Sequence, residues 1–126
     1  MANESVDTGA LIAAERGKER AARFLRLVRI GRARSLVPLP VVAEWWRGRT
    51  DAREEILAAS RVVATVEIAQ AAGVALARTR GVHAELTIDA IVLATAALLD
   101  AMVVTSDPRD FEKLSPHLPG VTVLGV

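Results

Sequence analysis

Four acidic residues lie beside apolar segments of this sequence, where an ionised carboxylate is costly. Asp89 is near the start of an almost wholly apolar predicted helix, and Asp107 directly follows an apolar predicted strand. Asp7 follows the first predicted strand, and Glu44 lies on the third predicted helix. A charge removed from water needs a partner, and a metal cation or hydrogen-bond donors usually provide it.

Carboxylates gathered around one pocket repel each other unless a divalent cation lies between them. The sequence has no cysteine, which excludes thiolate ligands, and oxygen donors favour the hard cations Mg²⁺ and Mn²⁺. Such an ion keeps bound water, lowers the pKa of that water and stabilises charge on a phosphate during in-line displacement. The four acids therefore predict hydrolysis of phosphodiester bonds.

Three acids also have an ordinary structural explanation. Asp107 precedes Pro108, and capping the start of a helix can be its only role. Asp7 can cap the helix that follows it, and Asp110 can favour a helix dipole from the first turn. The sequence leaves these alternatives open.

Glu44 and Asp89 differ in how well a structural explanation suits them. Glu44 can be a solvated residue that pairs with Arg47 on the surface of a helix. Asp89 is harder to explain in this way, because Val92 and Leu93, one turn further along the helix, are apolar. Asp89 therefore carries most of the physical argument for a metal.

The predicted helices and strands alternate along the chain. Apolar residues at helical spacing and β-branched runs predict them. The helices are predicted at 8–15, 18–30, 41–47, 51–59, 67–80 and 87–99, with a short one after Asp107, and the strands at 1–6, 35–39, 61–66, 102–105 and 121–124. This order predicts a three-layer α/β sandwich with a mostly parallel sheet of about five strands. Ligands then gather at the carboxyl ends of the strands.

Length and composition are those of an ordinary globular domain. The 126 residues, 52% apolar and 25% charged, predict a single domain that covers 1–126. The N-terminus does not resemble a secretory signal, and the longest apolar run, 90–99, is too short to span a bilayer. We therefore expect a cytoplasmic protein that does not enter a membrane.

Charge is segregated along the chain. The net charge is +1, yet residues 15–34 contain eight basic and two acidic side chains. This segment therefore attracts polyanions, while the remainder concentrates carboxylates. Arg outnumbers Lys fourteen to two, and the guanidinium fork suits phosphate groups.

Four segments, in this order, carry a family resemblance: VDTGALI at 6–12, PVVAE at 40–44, TIDA at 87–90 before an Ala-rich helix, and TSDPRDF at 105–111. With these segments the chain resembles the PIN-domain ribonucleases, and within them the VapC-type toxins of bacterial toxin–antitoxin pairs. The resemblance covers essentially the whole chain. It implies a metal-dependent endoribonuclease that is a homodimer, cleaves structured RNA and is inhibited by a cognate antitoxin.

The resemblance also implies roles for individual residues. The catalytic acids, which would ligate Mg²⁺ or Mn²⁺ directly or through water, are Asp7, Glu44, Asp89 and Asp107. Asp110 would be an auxiliary acid, and the hydroxyls of Thr8 and Ser106 would orient ligands or water.

The first predicted strand departs from the family pattern. A central parallel strand is normally apolar, whereas residues 1–6 read MANESV. The sequence therefore predicts that this strand is short and frayed, or that the N-terminus has been altered.

Two arginines are the predicted RNA contacts. Arg16 and Arg47 lie on, or close to, segments that carry proposed acids, and phosphate contacts dominate the affinity for RNA. The arginines of the second predicted helix can instead form a solvated face. On that face, Leu27 and Ile30 are better contacts for a partner protein than for RNA.

Two other functions fit the general architecture. A phospho-accepting receiver-like signalling domain has a similar length and an acidic Mg²⁺ pocket, but it requires an acceptor Asp after the third strand, where this chain has Glu67. A catalytically silent binding module with the same fold would keep its partners and lose the chemistry. Intact acids at all four positions argue weakly against it.

Overall fold

A parallel sheet of five strands forms the centre of the molecule. The structure, a computed structural model, describes residues 2–81 and 84–126. The strands are β1 (Ala2–Val6), β2 (Ala33–Pro38), β3 (Ser60–Val63), β4 (Met102–Thr105) and β5 (Val123–Gly125). They lie in the order β3-β2-β1-β4-β5 and every neighbouring pair is parallel. The predicted α/β architecture is confirmed.

The described residues form six α-helices around the sheet. They are α1 (Thr8–Glu15), α2 (Glu19–Arg29), α3 (Leu39–Trp45), α4 (Asp51–Ala58), α5 (Val66–Arg78) and α6 (Thr87–Leu98). Short 3₁₀ helices lie at Ala84–Leu86, Pro108–Phe111 and Ser115–His117. No helix in the described part of the chain is long and apolar enough to cross a membrane.

Side-chain caps fix the starts of two helices, and one of these starts differs from the prediction. Val66, expected in the third strand, begins α5 because the hydroxyl of Thr65 accepts a hydrogen bond from the backbone N–H of Ile68 at 3.2 Å. Likewise Thr50 caps α4, because its hydroxyl accepts a hydrogen bond from the backbone N–H of Arg53 at 3.1 Å. Side-chain acceptors thus decide where these helices begin.

The polar first strand is a full strand at the centre of the sheet, so the expectation of a short, frayed strand is wrong. β1 pairs with β2 through residues 2–5 and with β4 through residues 4–6, while Met1 lies outside the described residues. Ser5 is fully buried and its hydroxyl donates to the carbonyl of Val92 at 2.8 Å. A hydrogen bond thus compensates for the burial of this polar side chain.

Helices cover both faces of the sheet. Ser5 points to the face covered by α6, and its neighbour Glu4 points to the other, where it contacts a groove beside α2. The apolar side of α6 forms much of the core, because Ala90, Val92 and Leu93 are completely buried. Such burial makes α6 a rigid support for the acid in its first turn.

A hydrogen-bonded network joins three helices on the α2 side. The Glu15 carboxylate at the end of α1 accepts from the indole N–H of Trp45 on α3 and, at 3.0 Å, from Nε of Arg53 on α4. Only 20% of the Arg53 side chain and 17% of the Glu15 side chain are exposed. The network holds α3, which carries Glu44, against α1.

The order in which strands are added to the sheet changes direction between β1 and β4. From β1 it proceeds outward to β2 and β3, and it then returns to the other side of β1 for β4 and β5. Loops diverge at the carboxyl ends of strands at such a switch point and leave a crevice between them. Asp7 directly follows β1 there, and Ser106 directly follows β4.

Candidate active site

A polar cavity of about 230 Å³ opens at this switch point. Its lining is formed by Asp7, Thr8, Gly9, Glu44, Glu85, Ile88, Asp89, Ser106 and Asp110. The structure therefore brings together three of the four predicted acids and all three predicted auxiliary residues. The fourth acid, Asp107, does not line the cavity.

Asp7 is held by hydrogen bonds to both carboxylate oxygens. It is 7% exposed; Oδ1 accepts from the backbone N–H of Ala10 at 2.9 Å, and Oδ2 accepts from the hydroxyl of Thr105 at 2.5 Å. Burial raises the pKa of Asp7, the two hydrogen bonds lower it, and the charges of Asp110 and Glu44 raise it again. Asp7 thus caps α1 and also contributes its charge to the cavity.

Thr105 is a residue of the site that sequence reasoning missed. It is completely buried, and besides donating to Asp7 its hydroxyl oxygen accepts from the backbone N–H of Asp107 at 3.1 Å. In the sequence it looks like an ordinary β-branched strand residue. Its position as the last residue of a strand, just before the acidic turn, was the available signal.

Asp89 lies in the first turn of α6 and has the most perturbed acidity in the cavity. Burial, followed by the charges of Asp110, Asp7 and Glu44, raises the pKa of Asp89 to about 7. A carboxyl group with this pKa is only partly ionised at neutral pH. A cation beside it would restore the ionised form.

Glu44 reaches the cavity from α3. Its carboxylate accepts a hydrogen bond from the hydroxyl of Thr8. Nε of Arg47 donates to the backbone carbonyl of Glu44 at 2.9 Å and not to its carboxylate, so the surface ion pair proposed as a structural alternative does not form. The Glu44 carboxylate remains directed to the cavity.

The two acids after β4 have different surroundings. Oδ1 of Asp107 accepts from the backbone N–H of Arg109 at 3.2 Å and from its Nε at 3.3 Å, as the cap of the 3₁₀ helix. Asp110, at the end of that turn, lines the cavity, and burial and then the charge of Asp107 raise its pKa. The structural explanation of Asp107 is therefore realised, and its role as a metal ligand stays a prediction.

Glu85 and Gly9 also line the cavity. Glu85, on the 3₁₀ helix before α6, is an exposed acid that sequence reasoning did not select. Gly9 lies so close to β4 that a Cβ atom there would collide with Oγ of Ser106 and lie 3.3 Å from its Cβ. The lack of a side chain at Gly9 thus allows the ends of α1 and β4 to approach each other.

The family model of the PIN domain matches residues 5–115. The chain belongs to the PIN domain family. The predicted family is thereby confirmed, and the receiver-like alternative is set aside. No curated protein sequence matches the chain at a significant level.

Solved structures share the fold of this PIN domain over nearly its full length. A toxin–antitoxin complex from Klebsiella pneumoniae has a TM-score of 0.65 and 19% identity over 98% of this chain and 96% of its own. VapBC2 from Rickettsia felis, bound to a DNA fragment from its promoter, has a TM-score of 0.67 and 14% identity over 100% and 99%. PAE2754 from Pyrobaculum aerophilum has a TM-score of 0.58 and 18% identity over 98% and 89%.

The donors in the PIN domain's cavity fit a hard cation in type, though not as a closed cage. All are oxygens, as Mg²⁺ and Mn²⁺ prefer. In residues 2–81 and 84–126, no three acidic or histidine side chains converge closely enough to hold an ion by themselves. Mg²⁺ usually keeps several waters and uses one or two carboxylates, so this open arrangement suits a hydrated ion.

The two arginines predicted to contact RNA lie at different distances from the PIN domain's acids. Arg16 caps the far end of α1, about 13 Å along the helix axis from Asp7. Arg47 lies just past α3 and binds the backbone of Glu44. Arg47 therefore contacts a residue of the acidic cavity, whereas Arg16 lies at the far end of α1.

Proposed function

We propose that this PIN domain is a Mg²⁺- or Mn²⁺-dependent endoribonuclease that hydrolyses RNA phosphodiester bonds. The observation that carries the proposal is Asp89, whose pKa of about 7 reflects a carboxyl group half-buried among Asp7, Glu44 and Asp110. Members of the family are generally nucleases that use divalent metals. The acids thus match the chemistry predicted from the sequence.

In this proposal the acidic side chains at the cavity have different roles. Asp89, Glu44 and Asp110 offer carboxylate oxygens to the ion, directly or through water, and Asp107 stays a further proposed ligand. Asp7 presents a carboxylate oriented by Ala10 and Thr105. When bound, the ion lowers the pKa of a water and stabilises charge on the phosphate.

The hydroxyls at the cavity have orienting roles in this proposal. Thr8 donates to Glu44 and thereby fixes the direction of that carboxylate. Ser106 is exposed at the carboxyl end of β4, where its hydroxyl can donate to a phosphate oxygen or to water. Such positioning of reacting groups is a large part of catalysis in phosphoryl transfer.

RNA is the proposed substrate because of the segregated basic charge and the family resemblance. Arg47 lies beside Glu44 and can bind the backbone next to the scissile phosphate. Arg16 would contact RNA farther from the acids. Both are exposed, as contacts with a polyanion require.

We also propose an antitoxin partner and a homodimer. The two toxin–antitoxin structures that share the fold support the antitoxin. Leu27 on α2 and Ile30 directly after that helix are 40% and 65% exposed and are suited to contact such a partner. For the dimer, Leu39 and Val66 flank an apolar groove of about 360 Å³ and are 52% and 67% exposed. Light scattering after gel filtration tests the dimer.

The test of nuclease function is cleavage of a fluorescently labelled RNA in Mn²⁺ and in EDTA. Asp89→Asn should abolish cleavage while circular dichroism shows an intact fold. Asp100→Asn removes the same charge at the other end of α6 and should cleave normally. Cleavage by Asp89→Asn at the normal rate would refute the role of Asp89. A wild-type protein that binds RNA but never cleaves it would favour the silent binding module.

A further inference from the structure

Two arginines lie side by side on one face of the sheet, away from the acids. Register pairs Leu36 of β2 with Arg61 of β3, and Arg34 lies two residues before Leu36 on the same face. The strand spacing and rise place the Cα atoms of Arg34 and Arg61 about 8 Å apart. Their long side chains can therefore converge on one group.

Neither arginine forms an ion pair with a residue in the described part of the chain. Five other arginines do: Arg23, Arg29, Arg49, Arg53 and Arg109. Two like charges on neighbouring strands destabilise each other when no counter-charge is present. An anion between them would remove this repulsion.

The same two arginines line a cavity of about 280 Å³, the Arg34–Arg61 cavity, in which no acidic residue takes part. Its floor is apolar and is made by Leu36, Val63, Ile68 and Leu99. Asn3 and Thr65 also line it and carry an amide and a hydroxyl. A ligand that fits must therefore combine an anionic group with an apolar body.

This cavity is distinct from the acidic one. Leu99 follows the last turn of α6, whereas Asp89 lies in the first turn, so the two cavities are separated by about 15 Å along the helix axis. An RNA strand of a few nucleotides can span that distance.

We propose that the Arg34–Arg61 cavity is a second nucleotide-binding site, with a phosphate between the two guanidinium groups and a base on the apolar floor. Guanidinium forks match phosphate oxygens, and bases stack on apolar and guanidinium surfaces. An acidic protein segment is a poorer match, because a stable protein interface needs about 800 Å² from each partner. We assign the nucleotide to a part of the RNA strand that is remote from the scissile bond, and this assignment rests on the proposed ribonuclease function.

The test measures binding without cleavage. Fluorescence anisotropy of a labelled single-stranded RNA octamer, in EDTA and over a range of salt concentrations, compares the wild type with Arg34→Ser, Arg61→Ser. We expect the double variant to bind at least about tenfold more weakly and to lose about 0.7 from the slope of log K against log salt, as for one phosphate contact. Because no divalent ion is present, a failure of nuclease activity does not affect this measurement.

Two further variants control the experiment. Arg78→Ser, Arg80→Ser removes the same charge at the far end of α5 and should bind as the wild type does. Arg34→Lys, Arg61→Lys keeps the charge without the fork, and it should bind with intermediate affinity. If the serine variant does not fold, the lysine variant provides the comparison with the wild type.

A parallel titration with adenosine monophosphate, followed by amide chemical shifts, identifies the source of the nucleotide. Shifts at β2 and β3 that disappear in the serine variant indicate a site for free mononucleotides as well as RNA, whereas an effect on RNA alone indicates a strand site. Equal RNA affinity in wild type and serine variant, or equal loss in the Arg78, Arg80 control, would overturn the proposal. Competition by polyglutamate as strong as that by RNA would overturn it in favour of an acidic protein.

Discussion

The hydroxyl of Thr105 at the end of β4 donates a 2.5 Å hydrogen bond to Oδ2 of Asp7 at the end of β1. The hydroxyl oxygen of Thr105 also accepts a hydrogen bond from the backbone N–H of Asp107 at 3.1 Å. This contact orients the Asp7 carboxylate and lowers its pKa against the opposing effect of burial. Residues that hold a ligating carboxylate in this way are worth about 10- to 100-fold in metal affinity or activity.

Thr105→Val should therefore slow RNA cleavage about 10- to 100-fold and raise the Mn²⁺ concentration needed for half-maximal thermal stabilisation. The isosteric change keeps the packing and removes the donor to Asp7. Cleavage rates and Mn²⁺ titrations of the thermal midpoint measure the effect.

Thr95→Val is the matched control for that variant. Thr95 is also completely buried, but its hydroxyl donates to the carbonyl of Ile91 within α6 at 2.7 Å. It should lose about 1 kcal/mol of stability, as for one hydrogen bond, and keep its cleavage rate. If both variants slow cleavage equally, Thr105 acts only through stability.

Asp110→Asn should weaken the Mn²⁺-induced rise in the thermal midpoint, because Asp110 lines the cavity. Asp107→Asn should weaken that response less, because Asp107 does not line the cavity and Asn also serves as an N-cap. Cleavage assays on Asp110→Asn and Asp107→Asn compare the effects of the two acids on the reaction rate. The reverse result, with the response lost only in Asp107→Asn, would support Asp107 as the ligand and exclude Asp110.

Asp89 should make the metal-free protein less stable as the pH rises. Its pKa is raised from 3.8 to about 7 in the folded state, so its stabilising contribution is complete below 3.8 and is lost as the pH rises through about 7. In EDTA at pH 8, Asp89→Asn should therefore be more stable than the wild type by roughly 1 to 3 kcal/mol after allowance for solvent screening.

Urea unfolding at pH 4 and pH 8 measures this difference. The difference in the free energy of unfolding between Asp89→Asn and the wild type should shrink at pH 4. At pH 8, Mn²⁺ should stabilise only the wild type. An Asp89→Asn protein whose stability follows the wild type at both pH values would show that Asp89 is not buried as described.

Glu4→Gln should stabilise the protein at neutral pH. Glu4 is 6% exposed, its Oε2 atom has no hydrogen-bond partner among the described residues, and burial raises its pKa above the usual 4.5. The penalty is absent below pH 4.5, grows as the pH rises from there to the folded pKa, and is complete above it. A neutral amide removes the charge, with an expected gain of about 1 to 2 kcal/mol at pH 7.

Thermal unfolding from pH 4 to pH 8 measures that gain, which should vanish at the acid end. Glu112→Gln, on an exposed residue, is the control and should leave the stability unchanged. A gain for Glu4→Gln that is independent of pH would point to packing and not to charge.

Much of the fold follows from local patterns in the sequence. Helical and β-branched periodicity is a property of neighbouring residues, so the alternating elements and the parallel sheet were predictable. The segment at 1–6 was misjudged, because the partner of Ser5 is the carbonyl of Val92, 87 residues away. A buried polar strand is stable only when such distant partners exist, and the sequence does not reveal them.

In the acidic site, too, some features follow from the sequence and others only from the tertiary structure. The sequence by itself determined which acids stand at the ends of strands and helices, and it therefore identified Asp7, Glu44 and Asp89 as neighbours in the cavity. Only the tertiary structure decided that Thr105 holds Asp7 and that Asp110, not Asp107, lines the cavity. The reason is physical: hydrogen bonds and burial depend on the direction of side chains across the sheet, which spacing along the chain does not specify.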